Sequence, residues 1–199
     1  AILIPGPKCV VCDERNGIEH TFLYPKGTID YAGEVLPAAS MPFFTNELEA
    51  TGKDRYNRRE YRAKVQLVFG FAKDASHIRC LHNYRELEYG GYHLDAVEEQ
   101  LLRYINWEFA WDFKDKSSSN DEDRDDSESG FTLSFDDIKE NIVLILETNC
   151  TQYASMYVNA TKKAIKNRMI ADMAHDLIDN KFGYYIKQNH EAIRCILKA

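Results

Sequence analysis

The chain has 199 residues, of which 44% are hydrophobic and 12% are aromatic, so it is long and apolar enough to bury a core. Its net charge of −7 argues against a free-standing protein that binds nucleic acid by uniform neutralisation of phosphates. Apolar runs of about five residues are far short of the roughly 20 that a membrane-spanning helix needs. The five irregularly spaced cysteines are typical of reduced thiols. We therefore expect a cytoplasmic protein with no membrane partner.

One acidic segment interrupts the sequence. Residues 114–130 contain no apolar side chain, so the segment cannot bury surface that would offset the entropy of ordering it. The composition predicts a disordered acidic loop at 114–130 within a single domain that covers residues 1–199. A segment that mimics the charge of DNA is the alternative interpretation.

The predicted elements before this loop are strands and helices joined by short turns. Residues 8–12 and 18–24 form two strands around the Asn16–Gly17 pair, which favours a tight hairpin turn. A short helix follows at 28–36, with Thr28 as its N-cap. Residues 61–71 alternate apolar and polar side chains, which predicts a half-buried strand. We expect its partner strand at 76–83 and a helix from His93 to Phe109.

After the acidic loop the pattern repeats in outline. Ser134 and Asp137 predict the cap of a short helix that runs through Asn141, and residues 142–148 read as a buried strand. Apolar residues then recur at helical spacing, which predicts one long helix over 161–180 that ends at Phe182–Gly183. A last helix covers 189–197. This order of strands and helices predicts an α+β fold, or an α/β layer fold.

The sequence offers no defensible catalytic or metal site. Cys9 and Cys12 are separated by two residues within a predicted strand, so they point to opposite faces and do not favour a zinc or redox site. His77, Cys80 and His82 could share a metal ion in principle. His77 and His82 again fall on opposite faces, so ordinary packing is the simpler interpretation.

Two basic clusters remain. The first combines arginines and lysines with tyrosines, which is typical of a surface that tracks phosphates, although a solvated loop uses the same residues: Lys53, Arg55, Tyr56, Arg58, Arg59, Tyr61, Arg62 and Lys64. The second lies at the start of the predicted long helix, where ammonium groups favour an anion site: Lys162, Lys163, Lys166 and Arg168. Lys162 and Lys166 would share one helix face. The alternative is a polar face opposite the apolar stripe.

Four segments, in order, resemble one protein family. Residues 8–27, KCVVCDERNGIEHTFLYPKG, are similar to the opening of the transducer domain in the ATPase subunit of type IIA DNA topoisomerases, gyrase B and topoisomerase IV B. The strand at 61–71 resembles the next strand of that domain. Gly90-Gly-Tyr-His93 resembles a Gly-Gly-Thr-His motif before a long helix, and residues 134–146 resemble the Asp-Asp-containing stretch near the family's next strand.

The resemblance implies a fold and a mechanical role. It implies a ribosomal-protein-S5-domain-2-like mixed sheet packed against helices, placed between an upstream ATP-binding domain and downstream cleavage domains. ATP and Mg²⁺ would bind to the full-length subunit, and none is expected on this fragment alone. The domain would couple ATP binding and hydrolysis to closure of a dimeric clamp around DNA. The implied partners are DNA, a second copy of the subunit and a gyrase A-type subunit.

The resemblance also suggests site residues. A Gln-Thr-Lys loop of the family contacts the γ-phosphate of ATP, and without gaps it falls on Met156-Tyr157-Val158, none of which is charged. A short shift places Thr-Lys on Thr161 and Lys162. Lys162 and Lys163 are therefore the expected γ-phosphate ligands, and Arg55, Arg58 and Arg59 are expected to face DNA. The alternative is a stand-alone interaction domain that kept the fold and lost nucleotide sensing.

Overall fold

The computed structural model describes residues 5–35, 41–54, 57–83, 85–109, 132–151, 157–158 and 160–197. The acidic loop predicted at 114–130 lies outside these residues. In chain order the elements are β1 (Lys8–Asp13), β2 (Ile18–Leu23), α1 (Thr28–Val35), β3 (Phe44–Lys53), β4 (Glu60–Phe71), β5 (His77–His82), β6 (Arg85–Glu86), α2 (Tyr92–Phe109), α3 (Phe135–Ile138) followed by a 3-10 turn (Lys139–Asn141), β7 (Ile142–Cys150), α4 (Arg168–Asp176), α5 (Asn180–Gln188) and α6 (His190–Leu197).

A five-stranded mixed sheet forms the centre of the fold, in the order β3-β4-β7-β5-β6. All neighbouring strands are antiparallel except β5 and β7, which are parallel. Strand β4 shows why the sheet has two covered faces. Its alternating side chains from Tyr61 to Phe71 join the large core beneath α2, α4, α5 and α6, while Val68 points to the opposite face and packs with Ala32 of α1. The predicted α+β class, a mixed sheet packed against helices, is confirmed.

Strands β1 and β2 form a separate antiparallel hairpin, as predicted around Asn16–Gly17. Almost every residue of both strands is exposed. Cys9 and Cys12 are free, exposed thiols on this hairpin. The predicted strands at 61–71, 76–83 and 142–148 and the predicted helices at 28–36 and 93–109 are likewise present, with ends shifted by one or two residues.

Strand β3 has no counterpart among the predicted elements. Its sequence, FTNELEATGK, is rich in residues that strands ordinarily disfavour, including asparagine, glutamate and glycine. It forms because it is an edge strand that pairs along its whole length with β4, from Phe44 opposite Phe69 to Lys53 opposite Glu60. Tertiary pairing therefore overrides local propensity here.

The predicted single helix over 161–180 is wrong. Helix α4 begins only at Arg168, because the side chain of Asn167 caps it by accepting a hydrogen bond from the backbone N–H of Ile170 at 3.0 Å. Upstream, Lys162 has a φ of 57°, which is incompatible with a right-handed helix. Lys162 and Lys166 therefore lie on an irregular loop and do not share a helix face.

The downstream end of that prediction is also wrong. Asp179 caps a new helix, α5, by accepting a hydrogen bond from the backbone N–H of Lys181 at 2.8 Å. Phe182 and Gly183 lie inside α5 rather than at a helix end. Phe182 is fully buried against Phe44 and Phe69, so the aromatic core requires this turn of helix.

Candidate functional site

The two basic clusters predicted from the sequence lie at the same end of the central sheet, where β4 begins and β5 and β7 end. The turn between β3 and β4 precedes Glu60, and residue Ala63 pairs with Cys150 at the end of β7. Strand β5 runs parallel to β7, and its last residue, His82, pairs with Thr148. The segments that leave β5 and β7 and the turn that enters β4 are therefore neighbours.

The segment between β7 and α4, residues 157–167, is here called the lysine loop. It is fastened to the segment before α2 by backbone hydrogen bonds. The N–H of Tyr89 donates to the carbonyl of Lys163 at 3.0 Å, and the N–H of Ile165 donates to the carbonyl of Gly90 at 3.1 Å. Ile165 also forms bridges with Gly91 and Tyr157. These bonds keep Ile165 in an extended pairing, which explains why its apolar side chain does not continue a helix.

Gly91 allows this close contact. Its φ is 124°, a conformation that L-residues rarely adopt, and a Cβ placed there would lie 2.2 Å from the carbonyl oxygen of Ile165. The contacting atom belongs to the backbone, so no side chain could move aside. The Gly-Gly pair is thus the point where the lysine loop touches the start of α2.

The cations of the lysine loop lie over tyrosine rings. Each ammonium nitrogen is between 5.3 and 5.5 Å from a ring centroid, within the range of a cation–π contact: Lys162 over Tyr157, Lys163 over Tyr89, and Lys166 over Tyr92. Tyr89 and Tyr92 are exposed. The loop therefore presents three positive charges on an aromatic surface that is open to solvent.

The two lysines expected to contact phosphate have different surroundings. Lys163 forms an ion pair with Glu88, which raises the pKa of the lysine and lowers the pKa of the glutamate. Among the residues that the structure describes, no carboxylate forms an ion pair with Lys162. Of the two, Lys162 is therefore the more available for an external anion.

Two buried polar side chains, Thr148 and His82, connect the central sheet to Tyr157. The hydroxyl of Thr148 donates to the carbonyl of Leu81 at 3.1 Å, so its oxygen accepts the N–H of His82 Nδ1 at 2.6 Å. Burial lowers the pKa of His82 to about 4, so the ring is neutral. The His82 ring meets the Tyr157 ring edge-on, with centroids 5.4 Å apart. These contacts connect strands β5 and β7 to the Tyr157 ring, over which the ammonium group of Lys162 lies.

The residues considered for a shared metal ion are separated. Cys80 is buried and its sulfur lies 2.9 Å from Nε2 of His93, a residue that was not among the candidate metal ligands. His82 contacts Thr148, and His77 packs on the ring of Tyr31. Within the described part of the chain, no three His, Cys, Asp or Glu residues are grouped as metal ligands.

Residues 54–59 connect β3 to β4 in the chain, include Arg58 and Arg59 of the first basic cluster, and are here called the arginine turn. Arg55 lies outside the described residues. Arg58 and Arg59 are exposed, and the turn is closed by a hydrogen bond from the N–H of Asp54 to the carbonyl of Arg59 at 2.8 Å. The strand lysines of this cluster are paired with glutamates: Lys53 with Glu60, and Lys64 with Glu47 and Glu49.

A cavity of about 400 Å³ lies elsewhere, between α2 and α5. Three of its eight lining residues are aromatic: Tyr104, Trp107 and Tyr184. None of its lining residues belongs to the lysine loop or the arginine turn. No helix in the described ranges is both long and apolar enough to cross a bilayer.

Sequence reasoning missed the partners of the lysines. Glu88, Tyr89 and Tyr92 surround the Gly90–Gly91 pair, and His82 lies at the end of β5. The Gly-Gly pair was the available signal, because two adjacent glycines indicate a close backbone approach. Which segment approaches them depends on the parallel pairing of β5 with β7, and this long-range pairing is invisible in local patterns.

Solved structures with a similar fold show which kinds of protein share it. Solved structures with this fold include the 43K ATPase domain of Thermus thermophilus gyrase B in complex with an aminocoumarin, at a TM-score of 0.55 and 16% identity over 96% of this chain and 46% of that chain. The topoisomerase IV ATP-binding domain of Francisella tularensis, in complex with a small-molecule inhibitor, matches with a TM-score of 0.58 and 12% sequence identity. This match covers 96% of this chain and 46% of that chain. The B-subunit of the DNA gyrase from Myxococcus xanthus matches with a TM-score of 0.61 and 13% sequence identity, over 92% of this chain and 52% of that chain.

The family model of DNA gyrase B matches residues 27–199. The chain therefore belongs to the DNA gyrase B family. It spans about half the length of the solved structures that it matches. No curated protein matches it in sequence.

Proposed function

We propose that this chain is the transducer module of the ATPase subunit of a type II DNA topoisomerase. In this role it couples ATP binding and hydrolysis in an upstream domain to closure of a clamp around DNA and to strand passage. Membership of the DNA gyrase B family supports the general assignment. The observation that carries the specific role is the lysine loop, which presents cations at one end of the central sheet.

The lysine loop has the properties that a coupling element needs. An ammonium group at its surface can bind a terminal phosphate through a charge-assisted hydrogen bond. The backbone of the same loop is bonded to Tyr89 and Gly90, at the start of α2, and continues into α4 through the Asn167 cap. A displacement of Lys162 would therefore also displace α2, α4 and the sheet on which they pack.

The residues of this chain suit one part of a nucleotide site. Lys162 is a cation without a carboxylate partner in the described ranges, which fits contact with a single phosphate. The Mg²⁺ ion and the rest of ATP would be held by the upstream domain. When bound, Mg²⁺ offsets phosphate charge, and the role of Lys162 and Lys163 is to contact the γ-phosphate from outside that domain.

Contacts with DNA and with other subunits are part of the same proposal. Arg58 and Arg59 are exposed cations suited to contact phosphates of DNA held in the clamp, and Arg55, which lies outside the described residues, is expected to do the same. A second copy of the subunit and a gyrase A-type subunit would complete the enzyme. These partners follow from the family rather than from a surface of this chain.

A second candidate is an interaction domain that kept the fold without nucleotide sensing. One observation favours it: Tyr157 and Val158, at two of the positions that correspond to Gln-Thr-Lys without gaps, are uncharged, and Val158 is exposed. Under this alternative the lysine loop would have no ligand.

Substitution of both lysines in the full-length subunit separates the two candidates. If either lysine contacts the γ-phosphate, Lys162→Ala with Lys163→Ala slows ATP hydrolysis by about tenfold or more, the scale of one lost charged hydrogen bond. The control, Lys181→Ala with Lys187→Ala, removes two exposed lysines from α5 and leaves turnover unchanged. Equal turnover in both double variants would refute the coupling role and support the interaction domain.

A further inference from the structure

The ion pair between Lys163 and Glu88 lies at the surface of the candidate site. The side chain of Lys163 is 41% exposed and that of Glu88 is 52% exposed. An external anion can therefore reach the ammonium group without any rearrangement of the core. Exposed ion pairs are weak, so a doubly charged phosphate can compete with the carboxylate.

The backbone keeps the two residues together. Glu88 directly precedes Tyr89, whose N–H donates to the carbonyl of Lys163 itself at 3.0 Å. The ring of Tyr89 also lies 5.3 Å from the ammonium nitrogen. The carboxylate therefore stays beside Lys163 even when their contact is broken, and it can return after an anion leaves.

We propose that Glu88 is an internal counterion that occupies Lys163 in the absence of nucleotide and is displaced by the γ-phosphate of ATP. This inference rests on the proposed function. Glu88 is a positioning residue: it makes no contact with ATP and sets how strongly the lysine loop responds to it. Pairing lowers the pKa of Glu88 and raises that of Lys163, so both groups are charged at neutral pH.

The counterion gives the two lysines different tasks. Lys162 has no carboxylate partner in the described part of the chain and is available to any phosphate that approaches. Lys163 binds only an anion that outcompetes Glu88, which favours a γ-phosphate already delivered by another domain over dilute phosphate in solution. The pair thus raises the threshold for engagement of the loop.

The test is Glu88→Gln in the full-length subunit, with the rate of ATP hydrolysis measured against ATP concentration. Glutamine keeps the shape and removes the charge. We expect KM for ATP to fall roughly twofold to fivefold with kcat unchanged, the range that corresponds to one exposed ion pair. The matched control is Glu60→Gln, which removes the carboxylate of the exposed pair with Lys53 and leaves KM unaltered.

A second pair of measurements separates this inference from the proposed function. In a Lys163→Ala background, Glu88→Gln is expected to have no further effect on KM, because the group that it occupies is gone. A fall in KM in that background would overturn the inference, since it would indicate a general charge effect. An unchanged KM for Glu88→Gln, alongside slow hydrolysis in the double lysine variant, would overturn the inference and leave the coupling role intact. If the double lysine variant is as fast as wild type, both fail.

Discussion

Replacement of Gly91 by alanine tests whether the lysine loop is locked to the start of α2. The new Cβ would lie 2.2 Å from the carbonyl oxygen and 2.9 Å from the nitrogen of Ile165, so the loop must move away. The residue would also keep a φ of 124° only with strain of about 1–3 kcal/mol. The hydrogen bond from Ile165 to Gly90 would be lost as well, which costs about 0.5–1.5 kcal/mol.

Together these terms lower the free energy of unfolding by roughly 1.5–4.5 kcal/mol. For a chain of this size, thermal unfolding would then occur about 3–18 °C lower, as measured by circular dichroism or calorimetry. The control is Gly33→Ala in α1, where an added Cβ meets no atom within 4 Å. Alanine there should stabilise the chain by about 0.5–1 kcal/mol, as it does in other helices. If Gly91→Ala unfolds at the wild-type temperature, the contact between the two segments does not exist as described.

Two further predictions concern the core and its charges. Phe182→Ala should lower the free energy of unfolding in urea by about 3–5 kcal/mol, because the ring is fully buried, whereas the exposed neighbour Tyr184→Ala should change it by less than about 0.5 kcal/mol. Burial, with Asp95 and Asp136 nearby, raises the pKa of Glu98 to about 7 from 4.5. The folded state therefore binds more protons than the unfolded state between these pH values, so this carboxyl lowers stability as pH rises. Glu98→Gln removes that loss, and its stability relative to wild type should increase from pH 4.5 to 7 and then level off; a constant difference would contradict the assignment.

The sequence predicts the sheet well where burial and period agree. Strand β4 is the clearest case, since its alternation matches the burial pattern from Tyr61 to Leu67; from Val68 onward both faces are buried, because α1 covers the face that the sequence predicts to be exposed. Helix α4 shows the limit. Ile165 continues the apolar spacing of Met169 and Met173, but its N–H bonds to Gly90 instead of to a helical carbonyl. Apolar spacing predicts which side chains are buried, but it does not predict the partners to which the backbone groups of the same residues form hydrogen bonds.

The candidate site was predictable only in part. The clusters of lysines and arginines are visible in the sequence. Their position at one end of the central sheet results from the pairing of β4, β5 and β7. Two groups that contact those cations come from different segments: Glu88 precedes α2, and Tyr157 lies in the lysine loop itself. Their meeting depends on a left-handed residue at Lys162 and on two glycines with positive φ. Such backbone conformations have a clear cause in the structure and only a faint signal in the sequence.

The most direct test of the coupling role is hydrogen exchange of the full-length subunit with and without a non-hydrolysable ATP analogue. If the lysine loop meets the γ-phosphate, amide exchange over 157–167 should slow on binding of the analogue, while exchange in the exposed hairpin of β1 and β2 provides the reference within the same chain. Unchanged exchange in the loop, under conditions where the ATP-binding domain is protected, would show that nucleotide does not act through this chain.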